Sequence, residues 1–84
     1  HGTKSALEGD VKAGERVVVL DDVITTGGST ITAIERVRAA GLVVDRVIAL
    51  IDREEGGREN ILSYIPRVES VVTRSEIMQV YEKK

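Results

Sequence analysis

The run Val17-Val18-Val19-Leu20-Asp21-Asp22-Val23-Ile24-Thr25-Thr26-Gly27-Gly28-Ser29-Thr30 constrains the fold of this chain more than any other stretch. Its opening residues, Val17 to Leu20, are uninterruptedly apolar, which predicts a central parallel strand covered on both faces. A turn rich in hydroxyls and glycine follows from Thr25 to Ser29, and glycine lets such a backbone approach a ligand closely. A helix is expected next, and its unpaired N–H groups and dipole favour an anion. Short hydroxyl side chains add hydrogen bonds, so phosphate is the anion that suits the turn.

Asp21 and Asp22 make the expectation more specific. They are adjacent like charges beside an anion site, which costs energy unless something compensates. Carboxylates accept hydrogen bonds and a vicinal diol offers two donors, so a sugar ring attached to the phosphate meets both demands. A hydrated divalent cation is a second way to relieve the repulsion. Acids beside a phosphate cradle read together as a sugar-phosphate site.

The string VVVLDDVITTGGST resembles the phosphoribosyl-pyrophosphate (PRPP) signature of type I phosphoribosyltransferases, and in detail it is most similar to the orotate phosphoribosyltransferase family. His1-Gly2 upstream and Ile51-Asp52-Arg53-Glu54-Glu55-Gly56-Gly57 downstream support the resemblance, which extends over essentially all of the chain. It implies an α/β fold: a partly open, mainly parallel sheet with flanking helices, Rossmann-like, forming the C-terminal portion of such an enzyme. The implied reaction moves phosphoribosyl from PRPP to orotate and yields orotidine monophosphate (OMP) and pyrophosphate, a step of pyrimidine biosynthesis. Asp21, Asp22, Val23, Ile24, Thr25, Thr26, Gly27, Gly28 and Ser29 would bind PRPP, with the loop on the 5′-phosphate and the acids on the ribose hydroxyls. Thr25 and Arg53 would contact orotate, for which a planar guanidinium fork is well shaped. His1 would correspond to the catalytic-loop histidine of a Lys-x-His-Gly sequence. Mg²⁺ would be bound mainly through PRPP or pyrophosphate, with no protein metal ligands, and the assembly would be a cytoplasmic homodimer.

Departures from the family pattern are as informative. The lysines that should precede His1 have no counterpart, and Lys4 does not replace them. The chain starts without an initiator Met, so residues 1–84 are expected to be a single PRPP-binding domain incomplete at its N-terminus: a fragment, a cleavage product or a minimised version. Such a chain should bind phosphate, ribose phosphate or a nucleotide weakly and turn over poorly or not at all. Plainer roles stand beside these: His1 as an ordinary terminus, and Arg53 as an exposed salt-bridge partner of Glu54, Glu55 or Asp52.

Composition sets the remaining bounds. A chain of 84 residues buries only about 60–65 % of its unfolded surface, so its stability is marginal without a partner. It has no Phe, no Trp and two Tyr, so the core must come from Val, Ile, Leu and Ala. A net charge of −2 does not point to nucleic acid or membrane. The absence of Cys excludes disulfides, thiolate metal sites and a Cys nucleophile. No apolar stretch approaches the ~18 residues of a bilayer span and no signal peptide is visible.

Taken in order, Leu7 to Val11 suits a short strand, and Lys12 to Glu15 a turn. Ser29 or Thr30 is expected to cap the first helix and Gly41 to end it, with Ile31, Ile34, Val37 and Ala40 facing the sheet and Glu35, Arg36 and Arg38 facing water. Val43 to Ile51 reads as the next strand, and a strand–helix–strand succession puts Asp21, Asp22, Asp52 and Arg53 on one sheet edge. A second helix is expected over Arg58 to Tyr64 with Ile61, Leu62 and Ile65 apolar, stopped by Pro66. A third strand covers Val68 to Thr73. A final helix capped by Ser75 should bury Ile77, Val80 and Tyr81, with Met78 as filler and Lys83 and Lys84 solvated.

Other classes fit less well. A response-regulator receiver also pairs acids after one strand with a later Asp, which Asp52 imitates, but a Thr/Gly cradle directly after the acids does not suit it. Neither G-x-x-x-x-G-K-[ST] nor G-x-G-x-x-G occurs, which weighs against a P-loop or dinucleotide site. The alternative of a different kind is a non-catalytic sugar-phosphate-binding fragment or a self-associating scaffold.

Overall fold

The computed structural model describes residues 12–82, with side chains as far as Val80. Six elements follow one another: β1 (Arg16–Ile24), α1 (Gly28–Ala39), β2 (Val43–Asp52), α2 (Gly57–Leu62), β3 (Arg67–Thr73) and α3 (Arg74–Glu82). The expected strand over Leu7 to Val11, the burial of Tyr81, and Lys83 and Lys84 lie outside the described part. The three strands form one all-parallel sheet in the order β1-β2-β3. The α/β class and the parallel sheet with flanking helices are as the sequence predicts.

The core occupies one face of that sheet. Val19, Val47 and Val68 stand side by side across the strands, and Ala33, Ile34 and Val37 of α1 and Ile61 of α2 join them in the cluster. One row of β-branched residues therefore meets two helices, and burial of each such side chain is worth about 1.5–3 kcal/mol. Val44 and Val47 both face inward, although strict alternation would separate them. Register slips at this point, with Val17 opposite Val44 and Val18 opposite Arg46. Asp45 is the extra residue of that irregularity, and its carboxylate pairs with Arg16 across the strands.

Among the described residues the opposite face is bare, which corrects the expectation of two-sided cover for β1. Val18 is exposed, Leu20 is 68% exposed and Leu50 58%. β1 is an edge strand among the described residues, and β2 holds the centre. An unbroken apolar run states what a strand needs from its surroundings, and here the described residues meet that need on one side only.

Two helix expectations also change. In α1, Ala33 is buried and Ala40 is exposed, because the helix ends at Ala39 and Ala40 begins the turn. In α3, Ile77 and Val80 are exposed, Val80 by 65%. α3 starts at the residue directly after β3, and a chain with no connecting loop has no room to fold the helix back over the sheet. The cap of α3 is Thr73, not Ser75: Thr73 Oγ1 accepts from the Glu76 N–H at 3.2 Å while Glu76 Oε1 accepts from the Thr73 N–H at 2.7 Å. This is a reciprocal capping box. α2 keeps its expected apolar residues, with Ile61 and Ile65 buried and Leu62 packed beside them, but it ends at Leu62 with Ser63 as its C-cap, short of Tyr64 and ahead of Pro66, so Ile65 lies beyond the helix.

Candidate active site

All three strands end on one edge, with Ile24, Asp52 and Thr73 in register, and the loops that follow them meet there. Ligands in open parallel sheets bind outside this carboxyl edge. The first loop runs from Thr25 to Gly27. Gly27 is the N-cap of α1 in a left-handed conformation, φ 92°, with no side-chain cap. Neither Ser29 nor Thr30 caps the helix, as was expected from their type. A glycine wins the position because a Cβ there would lie 3.0 Å from the Gly57 carbonyl oxygen as well as demanding a positive φ.

The first bond of α1 runs from the Ile31 N–H to the Gly27 carbonyl at 2.9 Å. The N–H groups of Gly28, Ser29 and Thr30 precede it and have no partner within the helix. No acidic side chain lies in this first turn, and the space above Gly28 is open, with nothing within 4 Å of where a Cβ would be. Thr26, Gly28 and Ser29 are exposed and Thr25 is half-buried. The result is an uncluttered, positively polarised helix start of 12 residues' length.

The two acids do different things. Asp21 is half-buried on the helix side, where Thr30 Oγ1 donates to its Oδ2 at 2.6 Å and the Asp22 N–H donates to its Oδ1 at 2.9 Å. Thr30 is itself almost wholly buried; its hydroxyl orients the carboxylate. Asp22, the next residue on the strand, points to the opposite face and is exposed. A hydrogen bond from the Val23 N–H, then one shared with Asp21 and one from its own backbone, hold the Asp22 carboxyl below the ordinary value of 3.8. Val23 is half-buried, and Ile24 is packed into the core; these two shape the strand end beneath the loop.

The second loop, Arg53 to Gly56, is docked beside the first. The Arg53 N–H donates to the Ile24 carbonyl at 3.0 Å. Buried Asp52 accepts from the Glu54 N–H at 2.8 Å, holding Glu54 at φ 60°, a conformation that non-glycine residues seldom adopt. Glu54 in turn accepts from the Ser75 N–H at 3.0 Å and from its hydroxyl, which ties this loop to α3. The Arg53 guanidinium is half-exposed and pairs with Glu55 at 3.1 Å; such a pair at the surface is weak and readily exchanged. Arg53 therefore sits on the same edge as Asp21 and the first loop. His1 lies outside the described residues. Among the described residues no group of three or more His, Asp or Glu side chains is gathered as a metal site, and no helix is long and apolar enough to cross a membrane.

Two residues with no site role expected from the sequence, Gly57 and Asn60, are brought against the first loop. Asn60 Nδ2 donates to the Thr26 carbonyl at 2.8 Å. The available signal was the repeated Gly-Gly pair, at Gly27-Gly28 and Gly56-Gly57, each opening a helix.

No protein-family model matches the chain. Its relatives are nonetheless consistent. It is 53% identical over 78 residues to an orotate phosphoribosyltransferase of Natronomonas pharaonis, covering 93% of this chain and 45% of that protein. The solved orotate phosphoribosyltransferase of Aeropyrum pernix superposes with a TM-score of 0.81 and 41% identity, over 89% of this chain and 44% of the other. The orotate phosphoribosyltransferase of Mycobacterium tuberculosis H37Rv superposes with a TM-score of 0.76 in its complex with inorganic phosphate, at 37% identity over 87% of this chain and 44% of that one. In its complex with PRPP the TM-score is 0.75, at 36% identity over 82% and 43%. The parallel sheet with its flanking helices has the α/β fold of solved type I phosphoribosyltransferases. Within that class the chain is a homologue of the orotate phosphoribosyltransferases, and it spans less than half the length of the curated relatives it matches.

Proposed function

We propose that this chain supplies the ribose 5-phosphate and orotate contacts of an orotate phosphoribosyltransferase. The observation that carries the reading is the first loop: unpaired amides at an acid-free helix start, with open space over Gly28 and Asp21 fixed beside them. A pentose terminal phosphate on the amides of Gly28 to Thr30 brings the ring toward the strand end, where Asp21 and Asp22 accept from its hydroxyls. Thr25 and Arg53 face the base, with the guanidinium leaving Glu55 for the orotate carboxylate or imide edge. In the reaction the C1–O bond to the diphosphate breaks as the bond from C1 to the orotate nitrogen forms. Positive charge builds on the ribose ring, and binding and alignment lower the barrier. Mg²⁺ enters as part of the substrate, carried on the diphosphate, and homodimerisation and a cytoplasmic setting complete the proposal.

Calorimetry on the purified chain tests it. Ribose 5-phosphate and PRPP should both bind, PRPP with and without Mg²⁺, and Ser29→Asp should abolish binding by placing a negative charge among the amides. Failure of both ligands to bind the wild-type chain would refute the proposal. The chain alone should form little or no OMP; ready turnover would overturn that expectation.

A second reading is favoured by the bare sheet face. Val18, Leu20, Leu50 and Val71 are exposed together on it, as suits a sugar-phosphate-binding fragment or scaffold that persists by self-association. A concentration-dependent mass without ligand binding would select it.

A further inference from the structure

The first loop is held from behind by α2. Gly57 packs so closely that a Cβ on it would land on the Thr25 carbonyl oxygen and within 3.0 Å of the Gly27 nitrogen. One turn along the same helix face, Asn60 donates its amide to the Thr26 carbonyl at 2.8 Å, across 34 residues of sequence. The peptide unit between Thr26 and Gly27 is thus gripped at its oxygen and crowded at its nitrogen. That unit is planar, so fixing the carbonyl also fixes the direction of the Gly27 N–H. Without the grip, a turn containing two consecutive glycines has many backbone conformations to lose when a ligand arrives.

We propose that Asn60 and Gly57 are positioning residues that set the amides of the first loop before ligand binds, an assignment that rests on the phosphate role proposed for that loop. Gly57 allows the approach and Asn60 fixes the orientation. Neither touches the ligand. The order they impose is paid for during folding, and preorganisation of this kind raises affinity without any new contact. Asn60 is exposed and contributes nothing to the core, so its removal separates loop order from global stability.

The test compares the wild-type chain with Asn60→Ala and Asn60→Asp, the latter nearly isosteric but without amide donors. Backbone ¹⁵N order parameters are measured by NMR at Gly27, Gly28 and Ser29 without ligand, with Ile34 and Val47 as core references, and ribose 5-phosphate affinity is measured by calorimetry. In both variants the loop should fall from rigid values of about 0.85 to below about 0.6 with the core unchanged, and binding should weaken about fivefold, the worth of one hydrogen bond. Unchanged loop order in both variants would overturn the assignment. So would a loss of order throughout the core, which would mark Asn60 as merely structural. If wild-type binds no ribose 5-phosphate, the phosphate reading fails, and the ligand-free order parameters still decide whether Asn60 orders the loop.

Discussion

The two loops that open α1 and α2 are built on the same backbone device and filled with opposite chemistry. Each ends in a glycine N-cap in the left-handed region, φ 92° at Gly27 and 88° at Gly56, and in each a second glycine begins the helix. Neither cap uses a side chain. Around Gly27 stand Thr25, Thr26 and Ser29; around Gly56 stand Glu54, Glu55 and Glu59. Polarised amides are offered by both, but the acids of the second loop repel an anion from the start of α2, leaving Arg53 as the group proposed there for orotate, whereas the first loop offers its amides directly. The glycines also exchange duties. At the first loop the capping glycine is packed and the next is open, while at the second Gly56 is open and Gly57 is packed. Backbone shape makes an anion site available, and the surrounding side chains decide whether it is used.

Alanine at each glycine tests this contrast directly. Gly57→Ala should cost most, about 3 kcal/mol in denaturant unfolding, because its Cβ meets backbone that cannot yield. Gly27→Ala comes next at about 2 kcal/mol, combining a positive φ with contact at 3.0 Å. Gly56→Ala should lose only about 1 kcal/mol, since a positive φ is its sole obstacle. Equal losses at Gly56 and Gly57 would break the claim that the loops interlock. Gly28→Ala should add about 0.5–1 kcal/mol of stability from better helix propensity while weakening ribose 5-phosphate binding, because the methyl occupies the space left open for the ligand.

The smallest effect concerns the acids. The Asp22 carboxyl should titrate below 3.8 in a carbon-detected NMR experiment. Its folded value is depressed, so the native state is favoured above the unfolded value, and that contribution disappears as pH falls through the lowered one. Because Asp22 is exposed, the thermal midpoint should move little. A midpoint at or above 3.8 would contradict the bond from the Val23 N–H.

Local pattern carried much of the fold. An apolar run, a glycine turn and a helical period each report on a few neighbouring residues, so β1, the loop after it and α1 were legible, and so was the α/β class. Whether Val18 and Leu20 are covered depends on atoms outside the run, and the same residues suit a one-sided or a two-sided sheet. The periodicity of α3 likewise shows a stripe but not a partner for it. By type Ser29 and Thr30 are better caps for α1 than glycine, and the positive φ at Gly27 together with the approach of Gly57 explains why glycine holds the place. In the site, Asp21, the Thr/Gly turn and Arg53 were visible as chemistry. The Thr30–Asp21 bond and the grip of Asn60 are tertiary facts, invisible in a single polar letter.

The extra residue at Asp45 has a consequence for how the chain tolerates change. It lets Val44 and Val47 share the core face. Removing it would leave Val44 opposite Val17 and Arg46 opposite Val18 in plain alternation, so both halves of β2 keep their partners and the Arg16–Asp45 pair is what is lost. A deletion at Ile48 or Ala49 has no such slack: it would draw the rest of β2 back by about 3.3 Å and turn each following side chain over. Arg53 would then leave the edge it shares with Asp21. Single-residue deletions should therefore be more acceptable at this inconspicuous spot than at the paired positions along the same strand.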